Sequence, residues 1–108
     1  MSQLSRLDQL LQFLADDPND PFTLYAIATE YLKSDPLVAL SYYEKLLTDH
    51  PAYVGTYYHA AKLYLQLGKQ QKAEQTYIKG LEVSQVAGNR QAHRELKAAY
   101  QEYLDEEE

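Results

Sequence analysis

The chain has 108 residues, 45% of them apolar, with ten basic residues against sixteen acidic ones, a net charge of −6 and no cysteine. That length suits one domain with a core of its own, and a cysteine-free chain has no route to disulfides, thiolate nucleophiles, zinc fingers or iron–sulfur ligation. The acidic balance, with no basic stripe to offset it, repels nucleic-acid phosphate.

Only helical periods run along the chain. Leu4, Leu7, Leu10, Leu11 and Leu14 recur at intervals of three and four and predict a helix over 5–15. Asp20-Pro21 and Asp35-Pro36 each put a capping acceptor before a proline at the first helical position, where the absent N–H costs nothing. They open helices predicted over 21–33 (Leu24, Ile27, Ala28, Tyr31) and 36–49 (Ala39, Tyr43, Leu46, Leu47). Tyr57, Ala60, Ala61 and Tyr64 mark a helix over 53–67, closed by Gly68 as a left-handed stop. Ala73, Tyr77 and Leu81 carry one over 69–87, and Gly88-Asn89 pairs another stop with a new cap. A weaker stripe, Ala92, Leu96, Ala99 and Tyr103, gives the last helix over 89–104. Connections this short make neighbouring helices antiparallel.

Eleven tyrosines stand beside two phenylalanines and no tryptophan. A ring with a polar tip suits half-buried seams better than a dry centre, so an elongated stack is expected. The opening Met1-Ser2-Gln3-Leu4-Ser5-Arg6 has no basic region followed by an apolar block, and no run approaches about 18 apolar residues. A cytoplasmic protein with no membrane span is the expectation.

Self-comparison says more than any one helix. Leu24, Ile27, Ala28 and Tyr31 repeat as Tyr57, Ala60, Ala61 and Tyr64 at an offset of 33 residues. Ala39, Tyr43 and Leu47 repeat as Ala73, Tyr77 and Leu81 at an offset of 34. These residues resemble the tetratricopeptide repeat, W-x2-L-G-x2-Y, A-x3-F, then P over about 34 residues. Leu24 or Tyr57 stands for the tryptophan, Ala28 or Ala61 for the glycine, and Gln85 for the second closing proline, while Pro51 keeps the first. The resemblance implies an all-α fold, a short right-handed α-α superhelix (a TPR-like solenoid) of about six antiparallel helices. It divides the chain into an N-terminal half repeat (1–20), two repeats (21–53 and 54–87), a capping helix (88–104) and an acidic tail (105–108). In the half repeat the usual small residue has become Arg6. Ala28, Ala39, Ala61 and Ala73 are where helix backbones approach closely.

Catalytic chemistry finds no footing. His50, His59 and His93 are far apart, lack metal-ligand spacing and read as solvated surface. Ser41 and Ser84 have no nucleophile-elbow context, Asp16-Asp17 reads as a cap, and the glycines are scattered singly. No enzyme activity, catalytic residue, metal or cofactor is expected.

A surface is the functional candidate. In proteins resembling this one, the first helix of each pair lines a concave face that takes a partner's peptide or helix. The matching residues outside the core are Tyr25, Thr29 and Lys33, then Tyr58, Lys62 and Gln66, each set at i, i+4, i+8. The stripes are expected to stack Tyr25 on Tyr58, with Arg90, Arg94 and Lys97 extending the same wall. Tyrosine beside lysine or arginine is hot-spot composition. The carboxylate clamp of some relatives needs Lys and Asn where this chain has Tyr25 and Thr29, so only Arg90 and Arg94 resemble it. The expected partner is another protein, with no nucleic acid and no membrane. The alternative is an assembly subunit working through weak homo-oligomerisation or end-on docking. The closing acids Asp105, Glu106, Glu107 and Glu108 read as a fraying, solubilising run.

Overall fold

A computed structural model describes residues 4–107; Met1, Ser2 and Gln3, read above for a leader, and Glu108, the last of the acidic run, lie outside the described residues. Among the described residues all regular structure is helical: α1 (Arg6–Asp16), α2 (Pro21–Tyr31), α3 (Pro36–Asp49), α4 (Gly55–Gln66), α5 (Gln70–Ala87) and α6 (Arg90–Glu106). None of these helices is long and apolar enough to cross a membrane. The chain divides into two compact units, Met1–His50 and Pro51–Glu108.

In the first unit, side-chain caps start every helix. Ser5 and Asp8 form a reciprocal capping box on α1, and the Asp20 carboxylate accepts from both the backbone N–H and the hydroxyl of Thr23 at 2.9 and 2.7 Å. Those two bonds hold the Asp20 carboxyl below its ordinary range. Asp35 caps α3 on the Val38 N–H, with Pro36 behind it. α2 packs antiparallel on α3, and α1 packs on α2 through Leu10, Ala26 and Ile27 with Leu7, Leu11 and Leu14 partly covered. Arg6 pairs with Glu30 at 3.0 Å. α2 ends two residues before the predicted Lys33, because the N–H groups of Ser34 and Asp35 turn back on to the Tyr31 carbonyl.

In the second unit, α4 packs on α5, α5 on α6, and α4 also touches α6. Gly68 and Gly88 take the left-handed conformation, at φ 76° and 70°, and Asn89 caps α6 on the Ala92 N–H. α4 starts later than predicted, at Gly55. Val54 offers no capping side chain, so the entry is made by i+3 turns from Thr56 to Tyr53 and Tyr57 to Val54. The small residues Ala28, Ala39, Ala61 and Ala73 are all fully buried, as their spacing implied.

Three expectations are corrected. Tyrosine is not confined to seams: Tyr43, Tyr57, Tyr64, Tyr77 and Tyr103 are buried, while the other six are half-buried. Their rings supply core volume, and burial pushes the Tyr43 and Tyr77 hydroxyls up to about 12. The histidines are not solvated surface either. His50 Nε2 bonds Asn19, tying the α1–α2 turn to the end of α3, and His93 Nδ1 bonds Ser84 and the Leu81 carbonyl across the α5–α6 turn. Third, the acidic run is helical: α6 continues through Asp105 and Glu106, with Gln101 donating to Asp105 and Gln70 to Glu107. Glutamate's helix propensity outweighs its unfavourable place at a helix C-terminus.

Candidate functional site

The two predicted lining stripes lie in different units, and each is built by its own helix pair. On α2, Tyr25 is half-buried and Thr29 exposed. The Tyr25 ring meets Tyr43 of α3 edge-on, centroids 6.1 Å apart. The Thr29 hydroxyl donates to the Tyr25 carbonyl and lies 3.0 Å from the Tyr43 hydroxyl, so this residue ties α2 to α3 as well as facing outward. Lys33 is exposed but sits in the turn beyond α2, off the helical stripe.

On α4 the stripe is continuous. Tyr58 is half-buried, Lys62 and Gln66 are exposed, and all three fall within Gly55–Gln66. The Lys62 ammonium lies 5.2 Å from the Tyr58 ring centroid and 3.5 Å from its hydroxyl. On another side the Tyr58 ring meets His59 at 88°, centroids 5.6 Å apart. Burial, and then the Lys62 charge, pull the His59 imidazole below its ordinary value, so it is neutral at pH 7. Tyr58 and His59 open on to a cleft of about 520 Å³ completed by Glu95, Ala98, Ala99 and Glu102 of α6.

Arg90, Arg94 and Lys97 do not join that wall. They line a second cleft of about 480 Å³, where α5 turns into α6, together with Ser84, Gly88 and His93. Helical geometry is the reason. Residues 90, 94 and 97 share one face of α6, while 95, 98 and 102 share the face turned to α4. The α6 charges beside Tyr58 are therefore acidic. Spacing within α6 was the available signal, since Glu95 and Glu102 recur at i, i+7 around Ala98 and Ala99.

Among the described residues, no group of three or more His, Asp or Glu side chains is placed to hold a metal ion. What the surfaces offer is an aromatic–cation pair, an acid-flanked cleft and a cation-lined cleft, which is recognition chemistry.

No protein-family profile matches the chain. No curated protein matches it either. Solved structures do. The crystal structure of a tetratricopeptide repeat domain protein from Salinibacter ruber is 44% identical, covering 78% of this chain and 94% of its own, with a TM-score of 0.75. A solution structure of a Salinibacter ruber tetratricopeptide repeat domain protein agrees, at 45% identity, 80% and 88% coverage and TM-score 0.74. A protein from Bordetella parapertussis, at 20% identity, shares the fold over 96% of this chain and 91% of its own, with a TM-score of 0.81. With its repeated Tyr/Leu–Ala–Tyr core, paired helices and this degree of identity, the chain belongs to the tetratricopeptide repeat family of helical-repeat interaction modules.

Proposed function

We propose that the protein is a non-catalytic interaction module that takes a peptide or helix of a partner protein on the outward residues of its helix pairs, each stripe by itself: Tyr25 and Thr29 on α2 with Lys33 in the turn beyond it, and Tyr58, Lys62 and Gln66 on α4. The observation that carries this reading is the Tyr58–Lys62 pair at the edge of the α4–α6 cleft. A half-buried ring with a cation over it presents a large rigid contact with little side-chain entropy left to lose. Glu95 and Glu102 flank the cleft, so a partner side chain that enters it is apolar or basic. The proposal keeps the division into a half repeat (1–20) and two repeats (21–53, 54–87), with a cap whose helix runs on past 104 into the acidic residues. With so few repeats the contact area is small, and an affinity of about micromolar order is expected unless the partner is multivalent.

Crosslinking in the native cell followed by mass spectrometry identifies the partner, and capture by variants tests the surface. Tyr58→Ala, Lys62→Glu and Tyr25→Ala each reduce capture at least tenfold. Unchanged capture by all three sinks the reading.

Exposed apolar side chains favour a second reading, assembly through unit 1. Phe13, Phe22 and Leu37 are 60%, 63% and 66% exposed. Under that reading Phe13→Ser and Leu4→Ser abolish association while the α4 changes do not. Tyr103, at the far end of the chain, cannot serve as such a probe, because it is buried against Tyr77.

A further inference from the structure

The cation-lined cleft of the second unit lies outside the surface just proposed and has a chemistry of its own. Arg90, Arg94 and Lys97 stand at i, i+4, i+7 on α6, all exposed and all lining the same cavity of about 480 Å³. Of the other seven cations, Arg6, Lys45 and Lys79 pair with carboxylates and Lys62 and Lys72 lie over tyrosine rings, while Lys33 and Lys69 stand singly in turns. Among the described residues, Arg90, Arg94 and Lys97 have no ion pair and no side-chain hydrogen bond. Three like charges are thus gathered within two turns and left uncompensated.

Ser84, Gln85, Gly88, Asn89 and His93 complete the cleft. Gly88 fixes the turn in the left-handed conformation. The Leu81 carbonyl can only accept, so His93 Nδ1 carries the proton that holds the ring against the end of α5, beside the buried Ser84 hydroxyl. The Asn89 side chain caps the Ala92 N–H at the start of α6.

We propose that this cleft recognises a short acidic segment of a partner protein through side-chain carboxylates at alternate positions. Arg90 and Arg94 are separated by about 6 Å along the helix axis. Same-face side chains of an extended peptide repeat at about 6.6–6.8 Å, so carboxylates at i and i+2 meet the two guanidiniums in register. Lys97 extends the row, and the aliphatic stems of the three long side chains give a neighbouring apolar residue something to lie on. At physiological salt a charge is felt over about 8 Å. A short segment therefore sees the three cations, whereas a long nucleic acid runs off them on to an acidic surface.

The test titrates the uniformly 15N-labelled full chain with the acetylated, amidated hexapeptide Leu-Glu-Ala-Glu-Ala-Glu and follows the amide resonances. The expected result is saturable shifts confined to residues 84–97, with a dissociation constant that rises with salt. Arg94→Glu weakens binding at least tenfold and Arg94→Gln about threefold, both with unchanged circular dichroism, while Lys62→Glu leaves it unaltered. Equal binding of the glutamine version of the peptide overturns the proposal, as do shifts that map to Tyr58 and Lys62. Identical shifts with sodium phosphate alone overturn it in favour of a bare anion site. Concentration-dependent shifts of the same amides without peptide, lost on Glu106→Gln/Glu107→Gln, overturn it in favour of a second copy as occupant.

Discussion

The pairs α2–α3 and α4–α5 hold the same core positions with different side chains. Where α2 places Leu24, α4 places Tyr57; where α3 places Leu46, α5 places Gly80. All four are buried. A Cβ added to Gly80 would lie 2.6 Å from the Tyr57 Cβ and 3.2 Å from Leu96 Cδ1. The glycine thus answers a close approach of α5 to the Tyr57 Cβ of α4, where the first pair has room for Leu46. Tyrosine and glycine together are smaller than two leucines, and Leu96 of α6 closes on the same spot. A second contrast concerns the shared tyrosine of α3 and α5. Tyr43 meets Thr29 within its own pair, whereas Tyr77 lies 5.6 and 6.4 Å from the rings of Tyr100 and Tyr103 of α6. The core of the second pair is completed by the following helix.

The comparison can be broken most sharply at Leu46. Leu46→Gly copies the α5 residue into α3 without the close helix approach, and costs about 2–5 kcal/mol for the cavity plus about 1 kcal/mol for glycine in a helix. Denaturant unfolding followed by circular dichroism reads this, and a loss below about 1 kcal/mol would mean that the two positions are not equivalent. The converse change is smaller. Gly80→Ala loses about 1–3 kcal/mol to overpacking even though alanine is the better helix former. Adding Tyr57→Leu does not recover that loss, because the Cβ that the alanine methyl meets first is present in leucine as well; full recovery in the double variant would mean that the ring, and not the close approach at Cβ, demands the glycine.

Smaller still is a gain. The Thr56 hydroxyl is buried and has no hydrogen-bond partner among the described residues. Thr56→Val therefore raises stability by about 1 kcal/mol in the same assay. The least effect is on pH dependence. Because burial favours neutral His59, its contribution to stability is complete above its unfolded value of 6.5. It declines as pH falls from there through the lower folded value. Melting temperatures recorded between pH 7.5 and 5 drop less steeply in His59→Gln than in the wild type; parallel curves would remove His59 from the account.

Most of the fold was legible because its punctuation is local. Asp20, Asp35, Asn89, Gly68 and Gly88 cap or stop helices where their chemistry requires, and α3 spans the predicted 36–49. Errors arose where a decision is made by tertiary contacts. Lys33 fell off α2 because backbone amides beyond it compete for the Tyr31 carbonyl. The five buried tyrosines all lie on the apolar stripes of the sequence, and only their depth was missed, because periodicity assigns a face and not an extent of burial. Gly80 had a visible mark, a glycine inside a helical pattern in phase with Leu46, and such a glycine usually has a packing reason. The candidate surfaces were legible only residue by residue. Tyr58 and Lys62 do meet, but the face of α6 that accompanies them is Glu95 and Glu102 rather than the arginines.

The attachment of α1 has a consequence for native-state motion. Its one fully buried side chain is Leu10, Phe13 points outward, and the Arg6–Glu30 bridge is largely solvated, a kind of pair that contributes little. The α1 amides therefore trade hydrogen for deuterium through an opening that leaves α2 and α3 shut, at a free energy well below that of unfolding the unit. A protease able to cut near Asp17 finds its site during those openings, so limited digestion releases α1 first.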